Sequence, residues 1–170
     1  DIKDYSYEFS PTDSNKGGCM LYINNQIRYR ERKDLHISKS KEIESTFIEI
    51  IKPKEKNEIV GCIYKHPKMP VNEFSENYIK PLLEKLSYEK KEVILLGDFN
   101  INLLNYNSDK NTSDFIESLY ANGLYPTINT PTGVTTTSKT LIDNIFYNDI
   151  TKEVLAGNIS TSISDHFTQY

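Results

Sequence analysis

Three short stretches hold residue types that could do chemistry together. The first is Leu95-Leu96-Gly97-Asp98-Phe99-Asn100. An apolar strand ending in Gly lets the backbone turn sharply, and the next side chains project at the strand's carboxyl end, where α/β proteins place ligands. Asp98 and Asn100, two apart in extended backbone, point the same way. The carboxylate can take a proton or hold a metal, and the amide can donate to an anionic oxygen. Read alone, Gly, Asp and Asn are also the usual residues of a turn after a strand. The second stretch, Thr140-Leu141-Ile142-Asp143-Asn144-Ile145-Phe146-Tyr147, sets Asp143 in an apolar strand pattern. A carboxylate there is costly unless paired or bound, although an Asp on an outward face would also fit. The third, Ser164-Asp165-His166, places a carboxylate beside an imidazole and so favours the imidazolium, as an ordinary surface pair also would.

The elements that must position these residues are readable from periodicity. Cys19 to Asn24 alternates and ends in the turn signal Asn24-Asn25, and Ile43 to Ile51 and Ile59 to Tyr64 read as a hairpin closed by Lys52 to Asn57. From Val71 to Leu86 apolar residues recur every four positions at Phe74, Tyr78, Leu82 and Leu86, which predicts a helix with Asn72 as its N-cap. Val93-Ile94-Leu95-Leu96 is the longest apolar run and suits a central strand covered on both faces. Thr112 to Ala121 predicts a second helix stopped by Asn122-Gly123. Tyr125 to Thr130, Leu141 to Tyr147 and Val154 to Ile159 read as strands, with Thr135 to Ser138 as a polar loop, and residues 1–17 as an irregular N-terminal stretch. This order predicts one α/β domain with two packed sheets and helices outside.

At 170 residues, 37% hydrophobic and 26% charged, the chain has the composition of a globular domain. No apolar stretch reaches membrane-spanning length and no charged-then-apolar leader opens the chain, so an intracellular place, cytoplasmic or nuclear, is expected, with no membrane partner. Cys19 and Cys62 read as reduced core residues; no His has zinc-ligand spacing to either. A net charge of −4 argues against coating nucleic acid by bulk electrostatics, but not against a nuclease, whose metal site is built from carboxylates. The run Arg28, Arg30, Arg32, Lys33 reads as a solvated loop, whereas Lys65, His66 and Lys68 gain interest from Tyr64 beside them.

Taken together, Gly97-Asp98-Phe99-Asn100, the strand Asp143 and Ser164-Asp165-His166 resemble, in this order, the endonuclease/exonuclease/phosphatase superfamily. Thr140-Leu141-Ile142-Asp143-Asn144-Ile145-Phe146 is the most specific element, and with Gly97 to Asn102 it looks like the endonuclease domain of LINE-type (non-LTR) retrotransposon polyproteins. The resemblance implies a deoxyribonuclease I-like two-sheet α/β sandwich and a DNA-nicking phosphodiesterase that primes reverse transcription. It implies Mg²⁺ (or Mn²⁺) as cofactor, the DNA backbone as partner and a covalently linked reverse transcriptase. Residue by residue, Asp98 would orient or deprotonate the attacking water, and Asn100 and His166 would contact the scissile phosphate. Asp143 would hold His166, and Tyr64 would touch the phosphate or the leaving oxygen. Thr140 and Lys65 would contact substrate, and Asp165 would lie at the metal. The family's upstream Asn and metal-ligating Glu have no counterpart before Gly17, and Glu44 and Glu49 come too late to supply the latter. The domain is therefore expected to be incomplete at its N-terminus, and the 170 residues alone to be inactive or severely impaired. A non-catalytic remnant, or a phosphatase or phospholipid phosphodiesterase of the superfamily, is the alternative.

Overall fold

A computed structural model describes residues 2–10, 18–161 and 164–170. The β-branched run of β5 (Ile43–Ile50) folds back antiparallel on β6 (Glu58–Lys65), in register from Ile43 opposite Lys65 to Ile50 opposite Glu58. Next to β6 lies β7 (Glu92–Asp98), and the pair is parallel, so the chain must cross over between them. That crossover is helical: α1 (Val71–Phe74), a π-helical turn over Ser75–Ile79, and α2 (Lys80–Glu89). On the other side of β7 runs β11 (Asp143–Tyr147), antiparallel. With β3 (Tyr29–Glu31), β4 (Ser38–Lys39) and β8 (Tyr125–Pro126) they form one sheet in the order β3-β5-β6-β7-β11-β8, β4 pairing β5.

Side chains alternate across this sheet. On one face Phe47, Ile59, Ile63, Leu95 and Phe146 are buried in one core with Phe74, Leu82 and Leu86 of the crossover and with Phe115 and Leu119 of α3 (Lys110–Ala121). Phe99 meets Phe146 edge-on, with ring centroids 5.2 Å apart, and Phe115 at 5.9 Å, contacts worth roughly 1 kcal/mol each beyond their buried area. Against the opposite face of β5 and β6 lies the hairpin of β1 (Tyr5–Ser10) and β2 (Cys19–Asn24), which buries Cys19 and Ile23. The α/β sandwich expected from the order of elements is the fold observed.

Several local expectations are corrected. The stretch taken as irregular contains β1, whose aromatics Tyr5, Tyr7 and Phe9 all face outward, so its alternation lacks the usual apolar-inward signal; residues 11–17 lie outside the described residues. The N-cap of the crossover is Pro70, not Asn72, and no side chain caps it. Its π-helical turn immediately precedes Pro81, which lacks an N–H and whose ring would crowd the carbonyl four residues back; the wider turn relieves that crowding. The strands expected over Tyr125 to Thr130 and Val154 to Ile159 shrink to β8 and to β12 (Asn158–Ile159), the latter paired with β13 (Thr168–Gln169). The polar loop Thr135 to Ser138 joins β9 (Gly133–Val134) and β10 (Lys139–Thr140).

The basic run is a solvated loop only in part: Arg28, Arg30 and Lys33 are exposed, whereas Arg32 is buried. Arg30 lies on β3, and both Arg30 and the buried Arg32 converge on Glu49 Oε2, at 2.8 and 3.0 Å. Glu49 is fully buried, and its Oε1 accepts from Asn57 Nδ2 at 2.7 Å and Lys91 Nζ at 2.9 Å. Burial alone would raise its pKa; hydrogen bonds from Asn57, Arg30 and Lys91 outweigh it and hold the carboxyl at about 2. A depressed pKa contributes stability above the unfolded value near 4.5 and loses it as pH falls toward 2. Glu49→Gln leaves Arg32 its pairs with Asp34 and Glu89 and Lys91 its pair with Glu89, but removes the buried charge that joins them. It is expected to cost about 2 kcal/mol in urea unfolding at pH 7, with the difference from wild type shrinking in acid.

Candidate active site

The sheet register sets the site. Glu44 pairs with Tyr64, Tyr64 with Asp98, and Asp98 with Asp143, so four side chains on four strands share one row and one face. One residue before this row, Gly97 on β7 pairs with Ile63 on β6. A Cβ on Gly97 (φ 145°) would lie 1.9 Å from the Ile63 carbonyl oxygen, which only glycine tolerates. After Asp98 the chain turns: Asn100 adopts a left-handed φ of 46°, its N–H donates to Asp98 Oδ1 at 2.9 Å, and its Nδ2 donates to the Lys65 carbonyl at 2.8 Å. One amide hydrogen of Asn100 is thus spent on the scaffold, and the second can serve a substrate oxygen.

From the C-terminal segment His166 reaches the same place. Its Nδ1 lies 2.9 Å from Asp143 Oδ2 and 3.1 Å from Oδ1. A bridge between Gly133 and His166 and a bond from Phe167 N to the Thr132 carbonyl (2.7 Å) dock this segment on the β9–β10 hairpin. Asp98, Asp143 and His166 each offer an atom within 4.8 Å of the others'.

The electrostatics follow. Desolvation raises the Asp98 pKa, helped by the Asp143 charge and opposed by the Asn100 N–H, so this carboxylate is more basic than a surface one. For His166 burial opposes the imidazolium, but the hydrogen bond and charge of Asp143, with Asp98 and Asp165, prevail and raise its pKa. Tyr64 is raised by burial and then by Asp98 and Glu44.

The other expected residues are placed differently. Lys65 is corrected: it points to the helical side, is 1% exposed, and among the described residues its ammonium meets the His66 carbonyl (3.3 Å) and the Phe74 ring (5.9 Å), away from a substrate on the open face. Alternation explains this, since the neighbour of an outward Tyr64 must face inward. Asp165 is exposed, accepts from Ser164 Oγ and is not in the group with ligand spacing. Thr140 stands half-buried on β10, where its carbonyl accepts from Thr132 N–H at 2.8 Å. Two positioning residues escaped the sequence. The buried Thr132 accepts from the N–H groups of Ile142 and Asp143 through Oγ1, and Asn102 Oδ1 accepts from Leu141 N at 3.0 Å. Only the spacing of Asn102 two beyond Asn100 hinted at either.

An α/β sandwich with a carboxylate, an amide and an Asp-His pair at its strand ends defines the endonuclease/exonuclease/phosphatase class. A family model described as endonuclease-reverse transcriptase matches residues 58–170, and the chain belongs to that family. The fold is similar to that of the endonuclease domain of TRAS1, a telomere-specific non-LTR retrotransposon (14% identity, TM-score 0.70, 99% of this chain and 77% of that one). It is also similar to the Xenopus laevis APE2 catalytic domain (15%, TM-score 0.62, 98% and 74%) and to D. rerio TDP2 complexed with a single-strand DNA product (14%, TM-score 0.60, 96% and 74%). No curated protein matches the chain. No helix among the described residues is long and apolar enough to cross a membrane.

Two outcomes test this geometry. Gly97→Ala is expected to cost about 3 kcal/mol or more in urea unfolding, because backbone rather than a movable side chain blocks the Cβ. Asp143→Asn is expected to lower the His166 pKa, read by NMR titration. The stability this pair contributes is full below about pH 6.5 and fades as pH rises through the raised folded value, so the variant's deficit shrinks in alkali.

Proposed function

We propose that this chain is a metal-dependent phosphodiesterase acting on DNA, the nicking module of a non-LTR retrotransposon protein. The observation that supports it best is the meeting of Asp98 with the Asp143–His166 pair on adjacent strands, with Asn100 turned toward them. Made more basic by burial, Asp98 is suited to orient and deprotonate water. Asn100 and protonated His166 place donors where charge grows on the non-bridging phosphate oxygens. Asp143 holds His166 in orientation and keeps it charged. The Tyr64 hydroxyl, protonated at neutral pH, donates to the phosphate or the leaving oxygen.

Asp98 and Asp143 offer carboxylate oxygens to a divalent cation, Asp98 the freer of the two because Asp143 already engages His166, whose protonated ring has no lone pair to ligate. Mg²⁺ or Mn²⁺ suits such oxygens. Such a cation would supply charge neutralisation at the phosphate. Two carboxylates make a weak hold, so these 170 residues alone are expected to be severely impaired, cutting far more slowly than the TRAS1 endonuclease domain under the same conditions. A linked reverse transcriptase extending the nick, in nucleus or cytoplasm, is the setting this reading implies.

The experiment is nicking of supercoiled plasmid. Wild type with Mg²⁺ or Mn²⁺ is expected to relax the plasmid only slowly, at high protein concentration, EDTA to stop it, and Asp98→Ala to slow it by about a further hundredfold or more. Cutting that survives EDTA or Asp98→Ala at the wild-type rate overturns the reading.

A further inference from the structure

Glu44 holds the outer position of the row. It pairs with Tyr64, which pairs with Asp98, which pairs with Asp143, so it lies one strand beyond the proposed centre and on the same face. Adjacent strands are about 4.8 Å apart, which puts its side chain within reach of the Tyr64 ring. Glu44 is also buried, 6% exposed, a costly place for a carboxylate that does nothing there. Its Oε2 accepts from Gly18 N at 2.8 Å, and its own carbonyl accepts from Cys19 Sγ at 3.1 Å. These two bonds clamp the start of β2 to the end of β5 that carries the row. Nothing in the core needs this charge: of the other buried strand carboxylates, Glu49 is met by Arg30, Arg32 and Lys91 and Asp143 by His166, whereas Glu44 makes no ion pair among the described residues.

We infer that Glu44 is a positioning residue of the centre, clamping the start of β2 beside Tyr64 and fixing the surroundings in which the Tyr64 hydroxyl meets a phosphodiester. The inference rests on the function proposed above for Tyr64, but its geometry is independent of it. A side-chain oxygen is what the clamp requires; the negative charge is what Tyr64 senses, in line with the upward push that burial, Asp98 and Glu44 give its phenol. The two parts of the role are therefore separable by substitution. Glu44→Gln keeps an acceptor for Gly18 N–H and removes the charge; Glu44→Ala removes both.

The test uses the whole chain labelled with 3-fluorotyrosine, the Tyr64 ¹⁹F signal being the one of twelve that Tyr64→Phe deletes. With Glu44→Gln the Tyr64 signal is expected to move while the others stay, with Tm and the exchange protection of the Gly18 amide close to wild type. With Glu44→Ala the Tyr64 signal moves and Gly18 exchanges about tenfold faster, the loss of one partly buried hydrogen bond. A Tyr64 signal unmoved in both variants overturns the inference, and so does a shift of most tyrosine signals together, which marks general loosening. Should Glu44→Ala fail to fold, Glu44→Gln alone decides. None of these readouts needs catalysis: a chain that shows them yet never nicks plasmid rejects the proposed function and keeps the positioning role.

Discussion

The positive φ of Gly97, opposite Ile63, is the constraint on which the site depends. With no side chain at Gly97, the Ile63 carbonyl can occupy the space a Cβ would fill, and the parallel pairing continues unbroken to Tyr64 opposite Asp98. Because side-chain direction alternates with a period of two, a slip of one residue here would turn Asp98 into the helical core and bring Phe99 out. The aromatic cluster of Phe99, Phe115 and Phe146 opposes that slip by anchoring the residue next to Asp98 on the buried side. Core packing and site geometry are thus two consequences of one register.

On that frame the electrostatics run in opposite directions at the two ends of β5. At Glu49 three cations and an amide overcompensate burial, and the charge there is a stabilising tie between β3, β5 and the α2–β7 junction. At the other end Asp98, Asp143 and Glu44 crowd carboxylates on one face, relieved chiefly by His166 and by backbone N–H groups. Such concentrated like charge is a cost to folding that a functional site bears and a purely structural one would shed. Under the proposed function a cation would meet the carboxylates, and a phosphodiester would meet Asn100 and His166.

Much of this was legible in the sequence because it depends on local pattern. The hairpin β5–β6, strand β7 and helix α3 carry strong periodicities, and Gly97, Asp98 and Asn100 stand where a buried strand stops. What escaped depends on pairing across the sheet or on alternation at its margins. Lys65 follows Tyr64 and must point to the other face, a fact that chain proximity hides. β1 looked irregular because its apolar side chains face out, and the basic run around Arg32 looked solvated because its partner Glu49 is seventeen residues away in the chain. Thr132 supports Asp143 from a segment whose own sequence shows only a turn-like Thr-Pro-Thr. The family model and the shared fold place the chain in its class without replacing these local reasons.

The central claim is that Asp98 and the Asp143–His166 pair act as one centre rather than as neighbouring polar groups. The measurement that tests it most directly is a double-mutant cycle on the plasmid nicking rate with Mg²⁺, using Asp98→Asn, His166→Ala and the double variant. Residues that work as a unit are non-additive, so the account predicts that the double variant is scarcely slower than either single one. Losses that multiply, or a single variant that cuts at the wild-type rate, would contradict it.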